Sequence, residues 1–293
     1  MGNGAWGIKD VMSGESRQLI SEQPMVALPD YDNPPVTETF FSVAFSDLEK
    51  WSIPHFGLYW SFIRNEYPRF EIRPPLANQY ETFGENIQPS ADILQLLAQP
   101  PVRCWYVHQK ENRLIQVQND RFIFNWRKMG PAESYPRYER ALRGAFEAEW
   151  ERFKSFLESE SIRMPEVEQC EISYINHIPN SGDWGAYRSL VKALSAWPGS
   201  NNSEFLPTPE DVTFNTRYRL PGSQSRLHVQ LQPAVRNLDG KKLLQLTLTV
   251  RGLPSSSETS EMLRWFDLGR EWIVRGFTDF TSEEMHNVWK RRK

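Results

Sequence analysis

Three side chains in the segment Arg121–Lys128 have the types and the spacing to bind a phosphate or carboxylate group. They are Arg121, Asn125 and Arg127, which alternate with aromatic residues. Because successive side chains of a β-strand point to opposite faces, the three would share one face. Guanidinium groups bind carboxylates and phosphates through two parallel hydrogen bonds. We therefore treat this face as a candidate ligand-binding surface.

Two glutamines on the preceding strand extend the same face. Gln116 and Gln118 lie two residues apart, so both side chains would point to the side of the arginines. The alternative is a face that is simply hydrated, or arginines that pair with Glu111 or Glu38. Both interpretations stay open at the level of the sequence.

The other face of Arg121–Lys128 is aromatic. Phe122, Phe124 and Trp126 would point away from the arginines and pack beneath a long helix predicted over Tyr138–Leu157. That helix is predicted because apolar residues recur at three- and four-residue steps. A simple nucleic-acid platform needs aromatic and cationic side chains on one face, so this separation disfavours it.

No pattern singled out in the chain is typical of a catalytic, metal or cofactor site. The histidines lack metal-ligand spacing to one another or to either cysteine, and they are His55, His108, His177, His228 and His286. Neither a Walker loop nor a G-x-S-x-G motif occurs. Cys104 and Cys170 are predicted to be reduced and buried. We expect no catalytic residues, no metal and no cofactor.

Two pairs of carboxylates could in principle act as an acid and a base. Glu147 and Glu149 are predicted on the exposed face of a helix, and Glu166 and Glu168 at the start of a strand. General acid–base catalysis needs a positioned and usually perturbed group. We therefore expect all four side chains to be hydrated and without a catalytic role.

The composition is that of an ordinary globular protein and excludes two broad classes. The 293 residues include 34 Lys and Arg against 37 Asp and Glu, which gives a formal net charge of −3. A strongly basic nucleic-acid-binding chain is therefore excluded, although arginines cluster between residues 113 and 143. No apolar run approaches the roughly 18 residues that span a bilayer. The first ten residues lack a signal-peptide core, and we expect a cytoplasmic protein without membrane contact.

The chain is predicted to divide into an arm and two halves. Residues 1–33 are expected to form a flexible N-terminal arm. Residues 34–164 and 165–293 each show a strand, a helical segment, antiparallel strands and a long helix. Helical pieces are predicted within Leu48–Asn65, capped at Ser46-Asp47 and broken at Pro54 and Gly57, and at Ala91–Leu97 and Gly185–Trp197, and two more helices near the C-terminus. The other predicted strands are Thr37–Phe45, Arg69–Arg73, Val102–Gln109, Arg113–Gln118, Val167–His177, Val212–Leu220, Arg226–Gln232 and Leu243–Val250.

This order of elements predicts an α+β fold with an internal duplication. Each half would be an antiparallel sheet with helices on one face. The two sheets could join edge to edge into one curved sheet, as in the tandem fold of the TATA-box-binding protein. That analogy concerns the fold alone and implies no function. Exposed sheet edges in such a fold weakly favour a homodimer.

The candidate site and the segment after it carry a family resemblance. The residues are Gln116–Phe122, then Asn125-Trp126-Arg127, then Tyr135-Pro136-Arg137-Tyr138 and a helix. The combination resembles the hallmark of a sporadically distributed, mostly bacterial family of uncharacterised proteins and would cover about residues 34–290. The resemblance implies no activity, but its patchy distribution suggests phage-defence or toxin–antitoxin modules. Tyr135 and Tyr138 complete the set of candidate ligand-binding residues.

The leading functional hypothesis is a non-enzymatic binding or interaction protein. Its partner would be another protein or a small anionic ligand, within a bacterial defence or toxin–antitoxin module. A second hypothesis is an enzyme acting on a phosphorylated or nucleotide substrate, with Arg121 and Arg127 as anion clamps. A third hypothesis is nucleic-acid binding, which the net charge disfavours.

Overall fold

The computed structural model describes residues 27–77, 79–83, 102–179, 193–195, 205, 212–236 and 239–292. Nine strands lie in this part of the chain: β1 (Val36–Phe45), β2 (Arg69–Arg73), β3 (Arg103–Val107), β4 (Arg113–Gln118), β5 (Arg121–Arg127), β6 (Val167–Pro179), β7 (Phe214–Arg219), β8 (Ser225–Val235) and β9 (Lys242–Gly252). They form one antiparallel sheet in the order β2-β3-β4-β5-β1-β6-β9-β8-β7. The predicted α+β class with antiparallel pairing is confirmed.

The helices of the described residues cover one face of this sheet. They are α1 (Ile53–Ile63), α2 (Arg143–Ser159), α3 (Thr259–Phe280) and α4 (Glu283–Val288). A π-helical turn at Tyr138–Leu142 leads directly into α2, so the predicted long helix exists with a different first turn. Helix α3 is the longest at 22 residues, and its buried apolar stripe faces β6, β8 and β9.

The aromatic face of β5 packs against a helix, as the alternation of its residues predicts. Phe122 is fully buried, and its ring lies 5.5 Å from Trp150 and 5.0 Å from Phe153 of α2, measured between centroids. The aromatic face therefore packs beneath α2, and the arginine face is the one that the described helices leave uncovered. Aromatic pairs at these spacings add about 0.5–1.5 kcal/mol beyond the area that they bury.

A single phenylalanine contacts both α2 and α3, the long helices that follow β5 and β9. Phe41 lies on β1, which pairs with β5 on one side and β6 on the other. Its ring is 5.0 Å from Phe146 of α2 and 5.3 Å from Phe266 of α3. The cluster around Phe41 is therefore continuous across the predicted boundary between the halves, and the sheet is continuous there as well.

The start of the first helix differs from the prediction. The sequence suggested a cap at Ser46-Asp47, but α1 begins at Ile53 behind Ser52. The backbone N–H of Ser52 donates to His55 Nδ1 over 3.0 Å. Pro54 falls in the first turn, where a missing N–H costs nothing, so it starts the helix instead of breaking it. The predicted helix at Ala91–Leu97 lies outside the described residues, as does nearly all of the one at Gly185–Trp197.

The end of the predicted arm is packed into the fold. Residues 1–26 lie outside the described part of the chain, but residues 30–33 contact the C-terminal helices. Tyr31 is 4% exposed, and its hydroxyl is 2.8 Å from Thr278 Oγ1 of α3. Arg137 donates to Asp30 Oδ1 over 2.7 Å and holds the same segment from the other side. The folded unit therefore includes residues that were assigned to the arm.

One carboxylate that was predicted to be hydrated is buried. Glu149 of α2 is 3% exposed and accepts a 2.8 Å hydrogen bond from the Tyr67 hydroxyl. Arg152 Nη1 lies 3.4 Å from its other oxygen. Burial raises the pKa of Glu149, although Tyr67 and Arg152 act in the opposite direction. Glu149 lies on the stripe of the helix that faces the sheet, so its position in the helical repeat, and not its charge, determines its burial.

A glycine sets how closely α3 approaches the sheet. A Cβ added at Gly269 would lie 2.7 Å from Cγ2 of Ile172, whereas one added at Gly144 of α2 would meet nothing within 4 Å. We expect Gly269→Ala to lower the free energy of unfolding by about 1–3 kcal/mol, because overpacking outweighs the gain in helix propensity. Gly144→Ala is the matched control and should raise it by up to about 1 kcal/mol. Urea denaturation of both variants measures the difference, and equal stabilisation would contradict the close contact.

Candidate functional site

The face of the sheet opposite the helices carries polar side chains across its whole width, with a few apolar ones such as Phe40 and Ile123 between them. Strand registers place a polar side chain from every strand on this outer face. From β2 to β7, in the spatial order of the sheet, examples are Glu71, Arg103, Gln116, Asn125, Ser42, Ser173, Thr249, His228 and Arg217. A polar outer face is the expected partner of an apolar helix-covered face in an antiparallel sheet.

Two of the predicted site residues belong to a hydrogen-bonded chain that crosses four strands. Arg103 Nη1 donates to Gln116 Oε1, Gln116 Nε2 to Asn125 Oδ1, and Asn125 Nδ2 to Glu38 Oε1, each over 2.7 Å. Gln116 and Asn125 are both buried. They therefore position Arg103 and Glu38, and their amides are already occupied within the protein.

Gln118 holds a segment of the chain that crosses the outer face. We call residues 74–83, without residue 78, the crossing segment. Gln118 accepts from the Leu76 N–H over 3.0 Å and donates to the Leu76 carbonyl over 3.1 Å. Gln169 on β6 accepts from the Glu81 N–H over 2.9 Å and donates to the Gln79 carbonyl over 3.0 Å. Each glutamine side chain thus makes the kind of paired backbone hydrogen bonds with the crossing segment that a neighbouring strand would otherwise make.

The remaining predicted residues fall in separate places. Arg121 is 8% exposed at one end of β5, and Arg127 is half-buried at the other end. Tyr135 and Tyr138 lie on the helix side of the sheet, where their hydroxyls contact Tyr174 at 2.9 Å and Asp267 at 2.7 Å. The structure therefore does not bring the two tyrosines together with the arginines.

Three arginines surround one tryptophan on the outer face. The guanidinium carbons of Arg73, Arg103 and Arg127 lie 4.5, 5.5 and 6.0 Å from the ring centroid of Trp105. The indole N–H of Trp105 donates to Gln116 Oε1 over 2.8 Å. We call Arg73, Arg103, Trp105 and Arg127 the arginine–tryptophan patch. Guanidinium groups over an indole ring are held by cation–π attraction as well as by hydrogen bonds.

Sequence reasoning found one member of this patch and missed three. Arg127 is one of the predicted site residues. Arg73, Arg103 and Trp105 belong to segments that are predicted as strands but not as part of a binding surface. The signal was the alternation in those strands, because Arg103 and Trp105 are two residues apart and so share a face. Sequence alone does not give the register that pairs Arg73 with Arg103.

The patch carries more positive than negative charge. Arg73 is paired with Glu71, whereas Arg103 donates to neutral oxygens of Gln116 and Pro74. Burial lowers the pKa of Arg103, and the positive charges of Arg73 and Arg121 lower it further. Like charges held together in this way favour an anionic ligand that neutralises them.

Glu38 at the end of the hydrogen-bonded chain gives a pH test. Burial raises the pKa of Glu38, against the hydrogen bond from Asn125 and the charge of Arg127. Between the carboxyl's unfolded pKa and its higher folded pKa, the native state binds more protons, so stability falls as the pH rises. We expect the wild type to lose stability relative to Glu38→Gln between pH 4 and pH 7. Urea denaturation at both values measures this difference, and a relative gain by the wild type would contradict the raised pKa.

Two further features are absent from the described residues. No group of three or more His, Cys, Asp or Glu side chains there could hold a metal ion. Within the same ranges, no helix is both long and apolar enough to cross a membrane. Cys104 and Cys170 are both free and buried, as predicted, and burial raises the pKa of Cys104 to about 12.

Comparisons with known proteins add little to this geometry. No family model matches the chain. No curated protein matches it. Among solved structures, the chain is similar to DynU16, which is described as a protein in the dynemicin biosynthetic locus. The identity is 12%, the match covers 84% of this chain and 98% of DynU16, and the TM-score is 0.23. A likeness at that TM-score carries no argument about the fold or the function here.

Proposed function

We propose that this protein is a non-enzymatic interaction protein whose arginine–tryptophan patch binds an acidic segment of another protein. The observation that carries the proposal is the crowding of Arg73, Arg103 and Arg127 around Trp105. Because neutral amides hold Arg103 in place, its charge is pre-positioned for an external carboxylate. Arg73 lies over the face of Trp105, so the ring is a poor platform for a stacked base.

The edge strand β2 gives the partner a way to bind. Within the described residues β2 pairs only with β3, so its other edge has unpaired backbone groups there. Phe70 and Ile72 point to the helix side and are 36% and 68% exposed. An extended peptide can add to such an edge as a further strand, with backbone hydrogen bonds giving affinity and alternate side chains giving specificity.

The alternation of β2 defines the chemistry of the partner. Arg69 and Arg73 point to the outer face, whereas Phe70 and Ile72 point to the other. A complementary strand would therefore carry acidic residues at every second position and apolar residues between them. Glu71 is ion-paired with both Arg69 and Arg73, and Arg69 also pairs with Glu111, so the surplus positive charge beside this edge comes from Arg103 and Arg127 of the patch. The partner is thus a segment with alternating acidic and apolar side chains.

We also infer that the sheet consists of two equivalent halves. The strand order supports this, because β1 lies beside β5 and β6 lies beside β9, so each half pairs its first strand with its last. A long helix follows the last strand in both cases. The central β1–β6 pair would then be the junction of a tandem arrangement like that of the TATA-box-binding protein. This inference concerns architecture and has no bearing on the ligand.

We propose that the partner is encoded in the same bacterial defence or toxin–antitoxin module, as the patchy distribution of the resembling family suggests. A cytoplasmic location fits the two free and buried cysteines.

The proposal predicts binding of a designed acidic peptide. We expect an eight-residue peptide of alternating Glu and Val to bind the protein, and Ile72→Asp to weaken binding by about tenfold, since it adds a negative charge and removes an apolar contact. Val288→Asp is the matched control, because Val288 is 61% exposed on α4. Isothermal titration calorimetry measures the affinities. Equal binding of a Lys-Val peptide, or an equal effect of both substitutions, would contradict the proposal.

A further inference from the structure

A groove on the other half of the outer face was not identified from the sequence. It encloses about 520 Å³ between the crossing segment and strands β7, β8 and β9. The side chains that the sheet contributes to it include Asn215, Arg217, Arg226, His228, Gln230 and Thr249. All six are hydrogen-bonding groups, and two are guanidiniums, which suits a polar anionic ligand.

A carboxylate of the protein already occupies this groove. Glu81 of the crossing segment accepts from Arg226 Nη1 over 2.6 Å, and its other oxygen lies 2.5 Å from His228 Nε2. Among the described residues that line the groove, Glu81 is the one carboxylate. Burial acts to raise the pKa of Glu81, but the hydrogen bonds with His228 and Arg226 outweigh it and lower the pKa, so Glu81 is ionised at neutral pH. Its two oxygens make the contacts that a bound oxyanion would make.

The groove also offers a cation that Glu81 does not use. Arg217 of β7 is exposed at the groove and forms no ion pair with a described carboxylate. Arg226, in contrast, is covered by the crossing segment, since Glu81 accepts its hydrogen bond and its guanidinium carbon lies 4.3 Å from the ring centroid of Phe83. Of the three arginines at the groove, Arg226 is paired with Glu81, Arg251 is paired with Glu171 of β6, and Arg217 is open to solvent.

The contacts between the crossing segment and the sheet would allow the segment to separate from the sheet. Within the described residues, no backbone–backbone hydrogen bond joins it to the sheet. Its backbone is held instead by the side chains of Gln118, Gln169 and Arg103. Displacing residues 79–83 would therefore break side-chain contacts and leave every strand pair intact.

We propose that this groove is a binding site for a small oxyanion, a phosphate or carboxylate compound, and that Glu81 occupies it as an internal ligand when the compound is absent. The compound would displace Glu81 from Arg226 and His228 and would extend toward Arg217. Thr249 and Gln230 would then contact its hydroxyl or carbonyl groups. The site goes beyond the proposed function, because it shares no residue with the arginine–tryptophan patch and binds a different ligand.

The test compares the affinity of wild type and Glu81→Gln for two probes, inorganic phosphate and succinate. Because Glu81 competes for the same cations, we expect Glu81→Gln to bind one probe about tenfold more tightly than the wild type. Adding Arg226→Gln to Glu81→Gln should abolish that gain. Glu158→Gln, which makes the same charge change on the exposed face of α2, is the matched control and should leave the affinity unchanged.

The outcomes separate the alternatives. Tighter binding of phosphate assigns the site to a phosphate compound, and tighter binding of succinate assigns it to a carboxylate. The proposal is overturned if Glu81→Gln binds neither probe more tightly, or if the gain survives Arg226→Gln. A second measurement uses the wild type and does not depend on the folding of any variant. Saturating probe should increase amide hydrogen exchange in residues 79–83, and unchanged exchange would overturn the displacement of Glu81.

Discussion

Phe41→Ala is expected to lower the free energy of unfolding by about 3–5 kcal/mol. Phe41 is fully buried, and its ring contacts Phe124, Tyr138, Phe146 and Phe266. Removal of this ring leaves a cavity between α2, α3 and the sheet, which costs both transfer free energy and lost contacts. Since domains of this kind are stable by only about 5–15 kcal/mol, the loss would be a large share of the total.

Urea denaturation measures this effect, and Phe62→Ala provides the control. Phe62 of α1 is 51% exposed, so its truncation should cost less than about 1 kcal/mol. Because the sheet stays continuous from β1 to β6 in this variant, it should still unfold in one transition, with the same midpoint by fluorescence and by circular dichroism. Comparable losses for Phe41→Ala and Phe62→Ala would show that the cluster around Phe41 does not hold the two helices together.

The double variant Arg73→Glu, Arg103→Glu is expected to weaken binding of the alternating Glu-Val peptide by about 100-fold. Each reversal removes an attraction of roughly 0.7 kcal/mol and adds a repulsion of similar size, so the two together cost about 2.8 kcal/mol, and about 1.4 kcal/mol corresponds to tenfold in affinity. The same variant should acquire affinity for a Lys-Val peptide. Isothermal titration calorimetry at low and high salt measures both changes, and the wild-type affinity should fall as salt screens the patch.

A matched double reversal separates the patch from net charge. Arg163 lies between α2 and β6, and Arg264 lies on α3, and both are exposed. Arg163→Glu, Arg264→Glu changes the net charge equally and should leave the peptide affinity within about twofold, since it acts only through screened long-range repulsion. If this control weakens binding as much as the patch variant does, the attraction is non-specific.

The strands could be predicted from the sequence because their signals are local. In β5 the aromatic residues Phe122, Phe124 and Trp126 occupy every second position, and this alternation predicts both a strand and the face that α2 covers. The same reasoning succeeds for β2, which has the predicted bounds Arg69–Arg73. Such patterns need only the pleat of a strand and a burial preference, and both are set by neighbouring residues.

The binding surface could not be predicted in the same way because it depends on contacts distant in sequence. Trp105 meets Arg127 only because β3, β4 and β5 pair in one register. Gln118 and Gln169 look like ligand-binding amides until the crossing segment is placed across them. A polar side chain in a strand can bind a partner or another part of its own chain, and the pattern alone does not distinguish the two.

The most direct test of the proposed function is hydrogen–deuterium exchange of the wild-type protein with and without the alternating Glu-Val peptide. If the peptide adds to the edge of the sheet beside the arginine–tryptophan patch, slowed exchange will centre on Arg69–Arg73 and extend to Arg103–Val107. Both segments should lose this protection in the double variant Arg73→Glu, Arg103→Glu. Protection that appears instead on α3, or no protection at saturating peptide, would contradict an interaction surface at this edge.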